Sequence, residues 1–406
     1  MTPFQFIIIM SSTVTSTISK LLVDDEDGSL TTPQIITKYG YKAETHRIET
    51  YDGYIVEMHR LTVSPSSGKF DPRKPPVLMM HGLLGSSADW IMIGPHNGLS
   101  YLLSDRGYDV WLGNARGNRY SREHTYLTAD MTEYWDFTWH EIGVYDVPAM
   151  IDYVLKVRNF TKLHYVGYSQ GTTAFLVMTS SMPKYNEKII KLHAMAPAAY
   201  MSHLNNPVFR YLSSHLSTIT NLVSALGVNQ FMPASPMFPQ IASAICSKSV
   251  QQCFNIMFVL SVGEYKNLNP QIIPILVGHI PAGASAKQIF HYAQEITSGH
   301  FRQYDYGVDN NTEIYHRLDP PDYDLSKVLT PVAIYYSLSD QLAHPSNVGR
   351  LAQELPNLVS LNQLPNPAFS HMDFILSTNA KDELYQGIIA SIEADTRHAQ
   401  RFNNLH

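Results

Sequence analysis

The chain has 406 residues, 44% of them hydrophobic, with 29 Lys and Arg against 35 Asp and Glu. That length holds one large α/β unit or two to three smaller domains, and the composition is that of a globular protein with a sizeable core. The balanced charge, with no basic block, excludes a nucleic-acid surface. Protonating its 18 histidines would carry the formal net charge of −6 to strongly positive, so surface charge changes steeply between neutral and acidic surroundings.

The N-terminus runs Met-Thr-Pro-Phe-Gln-Phe-Ile-Ile-Ile-Met into a Ser/Thr-rich stretch. It has the apolar centre and small residues of a secretory signal but lacks the charged start, and residues 1–19 are read as a signal segment. No later apolar run reaches the roughly 18 residues a membrane span needs. Residues 45–61 alternate about Asp52-Gly53 and predict a β-hairpin. Val77–Met80 is a short apolar run of the buried-strand kind, ending at His81-Gly82. Further strands are expected at Asp109–Leu112, Leu163–Val166 and Ile189–Met195, with helices near Asp146–Leu155 and Thr172–Thr179. Such alternation predicts a mainly parallel sheet covered on both faces.

The rhythm breaks near residue 200 and returns with strands at Pro331–Tyr336 and Leu358–Leu364. Residues 20–199 and 323–406 therefore read as one core, and 200–322 as an inserted, mainly helical cap. Within the insertion, Phe254–Val262 reads equally as cap core or lipid-contacting surface. Cys246 and Cys253 close a short-loop disulfide or remain two buried thiols. No Cys or His spacing suits a metal, and no cofactor is required. Asn159 and Asn310 head glycosylation triplets.

The chemistry centres on Gly167-Tyr168-Ser169-Gln170-Gly171, a G-x-S-x-G nucleophile elbow between a strand and a helix. A serine hydroxyl needs a base, and the base an orienting acid. In this architecture they follow in the order Ser, acid, His. Asp340 lies past the strand Pro331–Tyr336 and His371 past the next, where α/β sheets carry functional loops. Backbone N–H groups of Gln170 and Leu83 are the expected oxyanion donors. The ordinary reading of Asp340 is a turn residue, and of His81-Gly82 a strand-ending turn. Joint order and placement favour the catalytic reading.

These residues resemble the acid lipase family, which includes the gastric and lysosomal acid lipases of animals. The resemblance runs from about Thr45 to Ala380. It is carried by His81–Leu84, Asp109–Tyr120 (DVWLGNARGNRY), Tyr134–Asp146 (YWDFTWHEIGVYD), Gly167–Gly171, Pro281–Ser285 (PAGAS), Tyr304–Gly307 and His371–Phe374. It implies an α/β-hydrolase fold and a Ser169, Asp340, His371 triad with Leu83 and Gln170 as oxyanion donors. It also implies a lid within 200–322 and a Cys246–Cys253 pair, although the cysteine spacing is shorter than in relatives. The chain departs from the family where relatives read D-x-L-A-D-P. Here the run is Asp340-Gln-Leu-Ala-His344-Pro345, leaving Asp340 the sole acid.

The expected protein is a secreted or lysosomal lipase acting on triacylglycerol or steryl esters at a lipid–water interface, in acid. A carboxylesterase for smaller soluble esters and a non-catalytic lipid-binding relative are the competing readings. An acid working range requires a neutral resting His371, which burial under a cap favours and the Asp340 charge opposes.

Overall fold

The computed structural model describes residues 26–204, 207–232 and 272–403. Residues 1–19, both cysteines and Phe254–Val262 lie outside them. Eight strands make the main path of one sheet: β1 (Lys42–Glu49), β2 (Tyr54–Ser64), β3 (Val77–Met80), β4 (Val110–Gly113), β5 (Leu163–Tyr168), β6 (Ile189–Met195), β7 (Val332–Tyr336) and β8 (Leu358–Gln363). Their spatial order is β1-β2-β4-β3-β5-β6-β7-β8. β1 and β2 form the antiparallel hairpin, and β2 meets β4 antiparallel. Every pairing from β4 through β8 is parallel. The expected parallel sheet is thus present, with an antiparallel ribbon on one edge.

The central strands are hydrophobic on both faces because helices cover both. All four residues of β3 and all six of β5 are buried. Burial of each such aliphatic side chain stabilises the fold by roughly 1.5–3 kcal/mol. The main helices are α1 (Val147–Arg158), α2 (Gln170–Ser181), α3 (Pro207–Ser214), α4 (Leu216–Ala225), α5 (Ile273–His279), α6 (Ala286–Ser298), α7 (Val308–Tyr315), α8 (Pro345–Glu354) and α9 (Gln386–Asn403). α1 follows one π-helical turn, Ile142–Asp146, and ends at Asn159 in the left-handed conformation. α2 begins at Gln170, two residues before the sequence expectation. Helices α3 to α7 all fall between β6 and β7, where the sheet rhythm breaks. No helix among the described residues is long and apolar enough to cross a membrane.

The stretches that carried the resemblance are largely buried scaffold. Arg116 is enclosed and bonds both Asp52 and Asp146. Asp109 takes Arg60 and Arg158. Tyr134, Trp135 and Phe137 pack with Tyr54 in a cluster of their own.

Candidate active site

Ser169, Leu83, Asp340 and His371 all follow the carboxyl ends of parallel strands, so the sheet gathers them at one edge. Ser169 sits between β5 and α2 with φ 49° and ψ −115°. Such a conformation costs about 1–3 kcal/mol in a non-glycine residue, so its surroundings must impose it. The Ser169 N–H donates to the Met195 carbonyl (3.0 Å) and the Thr172 hydroxyl to the Ser169 carbonyl (2.5 Å). The flanking glycines are steric necessities. A Cβ on Gly171 would lie 2.3 Å from the Met80 carbonyl oxygen, and one on Gly167 would lie 3.0 Å from the Gly171 backbone. Only without those atoms can α2 pack this closely against β3.

The structure brings the three expected side chains together. His371 Nε2 lies 2.9 Å from Ser169 Oγ and His371 Nδ1 lies 2.8 Å from Asp340 Oδ2. Asp340 Oδ1 accepts the N–H groups of Leu342 (2.9 Å) and Ala343 (2.8 Å), which fixes the carboxylate plane. Ser169, His371 and Asp340 are 8%, 3% and 1% exposed. A hydroxyl, an imidazole and a carboxylate in this chain can pass a proton from Ser169 to His371 while Asp340 holds the ring.

The Leu83 N–H is aimed by a clamp on its own peptide plane. The Gly82 carbonyl, the other end of that plane, accepts from the Gly85 N–H (3.1 Å) and from His81 Nδ1 (2.7 Å). Peptide planarity then fixes the Leu83 N–H opposite. His81 Nε2 accepts from the Ala115 N–H (3.0 Å), so the proton resides on Nδ1. Burial pushes the His81 imidazole down to about 4, leaving it neutral. Asp89 lies behind the loop, its carboxyl pushed up to about 7 by burial. Leu84 has φ 62°, and its carbonyl accepts from the Ala282 N–H (2.7 Å). Gln170 is buried at the start of α2.

Other expected residues fall elsewhere. Asn159 and Asn310 are exposed, Asn310 within α7. His344 caps α8: its Nδ1 accepts from the Ser346 N–H (3.2 Å), and its ring stacks on His203 with centroids 5.7 Å apart. Burial, then the neighbouring His203, hold the His344 imidazole below its ordinary value against the pull of Asp340. Sequence reasoning passed over Tyr168, whose hydroxyl donates to the His371 carbonyl (2.9 Å). Its place inside the elbow was the one available signal. It also passed over Tyr292 of α6, which bonds Thr173 of α2 (3.0 Å) and which no sequence signal marks.

Comparison with known proteins bears on the fold and the family. Residues 32–94 match the family model of a partial α/β-hydrolase lipase region, and residues 75–234 that of the α/β-hydrolase fold. A solved structure from Sulfolobus solfataricus superimposes with a TM-score of 0.57 over 87% of this chain and 94% of its own, at 12% identity, which bears on the fold alone. The molecule is therefore an α/β-hydrolase, and its relatives make it a serine ester hydrolase. Lipase 1 of Drosophila melanogaster is 40% identical over 366 residues, 90% of this chain and 80% of the relative. Gastric triacylglycerol lipase of Bos taurus is 34% identical over 381 residues, 93% and 94% of the two chains. The chain belongs to the acid lipase family.

Proposed function

We propose that this lipase hydrolyses neutral lipid esters, triacylglycerol or steryl esters, through an acyl-enzyme formed on Ser169. His371 takes the Ser169 proton as the hydroxyl attacks the ester carbonyl, then gives it to the departing alcohol. Asp340 orients the ring and stabilises the imidazolium. The N–H groups of Leu83 and Gln170 receive the oxyanion, each worth about 3–4 kcal/mol of transition-state stabilisation. Water, activated by the same histidine, then releases the fatty acid. The observation that carries this reading is His371, whose two ring nitrogens reach Ser169 Oγ and Asp340 Oδ2 at 2.9 and 2.8 Å.

Residues 200–322 are proposed as the cap and lid over the acyl chain, supported by the placement of α3 to α7 between β6 and β7. Each CH₂ buried there would contribute about 0.8 kcal/mol. The gastric triacylglycerol lipases among the relatives support triacylglycerol as substrate, and a secreted or lysosomal setting with an acidic working range is part of this proposal. The Cys246–Cys253 pair belongs to the same proposal. The test is fatty-acid release across ester chain length and pH, with Ser169→Ala as control. Long-chain release in acid that vanishes in the variant supports the reading. Turnover confined to short soluble esters would make the protein a carboxylesterase, and an acid limb above about pH 6 would remove the acid range.

A further inference from the structure

The residue before the nucleophile touches both halves of the site. Tyr168 is the last residue of β5 and is 3% exposed. Its hydroxyl donates to the His371 backbone carbonyl (2.9 Å) and lies 3.6 Å from Met372 Sδ. Its ring centroid is 5.1 Å from that of His371, with 34° between the planes. The opposite neighbour is the oxyanion loop. A Cβ on Gly82 would come within 3.0 Å of Tyr168 Cε1 and 3.1 Å of Cδ1, so Gly82 rests against this ring with no slack. Burial raises the phenol well above its ordinary value, and it remains a donor at any working pH.

The other ties on the histidine loop grip its flanks. Ser337 Oγ donates to the Phe369 carbonyl (2.5 Å), and the Ser370 N–H donates to Asp373 Oδ2 (2.6 Å). Tyr168 alone among these holds the backbone of His371 itself.

We infer that Tyr168 is a positioning residue for proton transfer: its hydroxyl sets the height of His371 above Ser169, while its ring sets the approach of the Gly82–Leu83 peptide. The inference rests on the Ser169–His371–Asp340 reading. The two functions separate chemically. Tyr168→Phe keeps the ring and removes the hydroxyl, so it disturbs the histidine and spares the oxyanion loop. An alkyl ester needs His371 as a general acid because an alkoxide leaves poorly. A p-nitrophenyl ester of the same acid leaves as a stable anion and needs no such proton.

The experiment is kcat/KM for both esters of one fatty acid, in wild type, Tyr168→Phe, Ser169→Ala and His371→Ala. General acid–base assistance is worth about 10²–10⁴-fold, and partial misplacement of the acid forfeits part of it. Tyr168→Phe is expected to lower kcat/KM about 10-fold on the alkyl ester and about 3-fold or less on the p-nitrophenyl ester. Equal losses on both esters, or none, with the other two variants inactive, would overturn the role of Tyr168 alone. Undiminished turnover by Ser169→Ala or His371→Ala would overturn the triad reading and this inference with it. Should Tyr168→Phe fail to fold, Tyr168→His, whose shorter imidazole cannot carry a donor to the His371 carbonyl, is measured in its place. Its alkyl-to-p-nitrophenyl ratio should then fall below that of wild type, and an unchanged ratio would overturn the inference.

Discussion

The strand-end site and the segment between β6 and β7 are held in different ways. Around Ser169 nearly every fixing contact is short, buried and made by backbone or by residues adjacent in the chain. The β6–β7 segment joins the core partly by apolar packing, through Ile273, Leu276, Tyr292, Phe301 and Tyr323, and partly by directional ties such as Ala282 N–H to the Leu84 carbonyl, Ser285 Oγ to the Trp135 carbonyl (2.7 Å), Tyr292 to Thr173, and Lys287 to Asp136. It also leaves Tyr211, Leu222 and Leu226 more than half exposed. The difference teaches that exact placement and looser packing are assigned to different parts of the chain. Atoms that must meet within tenths of an ångström ride on the sheet, whereas the segment's outer helices, α3 and α4, keep large apolar side chains in solvent.

The sharpest break in that comparison is chemical. Ser169→Ala should cost ester hydrolysis about 10⁴-fold or more, and His371→Ala a similar factor, with the double variant no worse because the two act as a unit. Steady-state kinetics on a long-chain ester checks this, and additive losses would contradict it.

Gly171→Ala comes next. Its methyl would sit 2.3 Å from the Met80 oxygen, which is backbone and cannot swing aside. Overpacking of this kind costs about 1–3 kcal/mol or more. Chemical denaturation should show the loss together with lowered activity. A variant of full activity and stability would mean the elbow tolerates a wider gap.

Acid should weaken both regions. Burial pushes His164 down to about 3, and His81 and His279 to about 4, with His193 and His291 lowered in the same sense. In the unfolded chain each binds a proton near pH 6.5, while the fold excludes it. Their stability contribution is thus present above about pH 6.5 and lost as pH falls toward 3–4, by several kcal/mol for His164. Asp89 works oppositely. The fold holds its proton up to about 7, so its contribution is present in acid and lost as pH rises from about 4 to 7. Burial raises Glu295 and Asp146 in the same sense as Asp89, but the five histidines outnumber these three acids, and the melting temperature should drop between pH 7 and 4. His164→Leu should flatten that drop, and an unchanged slope would refute the assignment.

The smallest effect belongs to the ties of the segment. Lys287→Ala breaks a solvent-facing pair with Asp136 and should cost under about 1 kcal/mol, leaving p-nitrophenyl acetate turnover unchanged. A large loss of that activity would show the two regions to be more tightly joined than their contacts suggest.

Much of this was legible in the sequence. Val77–Met80 and Ile189–Met195 form strands at the bounds read for them, the first because a strand buried on both faces leaves an uninterrupted apolar run and the second despite Lys191 and His193 within it. Ser169, Asp340 and His371 could be read because chain order and strand ends constrain where such residues fall. What stayed hidden depends on contacts without a periodic trace. Tyr168 looks like any strand aromatic until its hydroxyl meets a carbonyl contributed by β8's loop. The π-helical turn at Ile142–Asp146 is written like ordinary helix. α8 and α9 went unread, although Pro345 at the start of α8 was a cue.

The clamp on the Gly82 carbonyl sets a floor under the enzyme's operating range. His81 must offer a bare Nε2 to the Ala115 N–H while its Nδ1 proton grips Gly82. A doubly protonated ring would set two N–H groups against each other, and with an imidazole at about 4 that conflict arrives near pH 4. The loop proposed to receive the oxyanion therefore carries its own fuse. Protonation of His81 would disarrange an amide of that loop, and returning the protein to neutrality would restore it wherever the remaining fold had held.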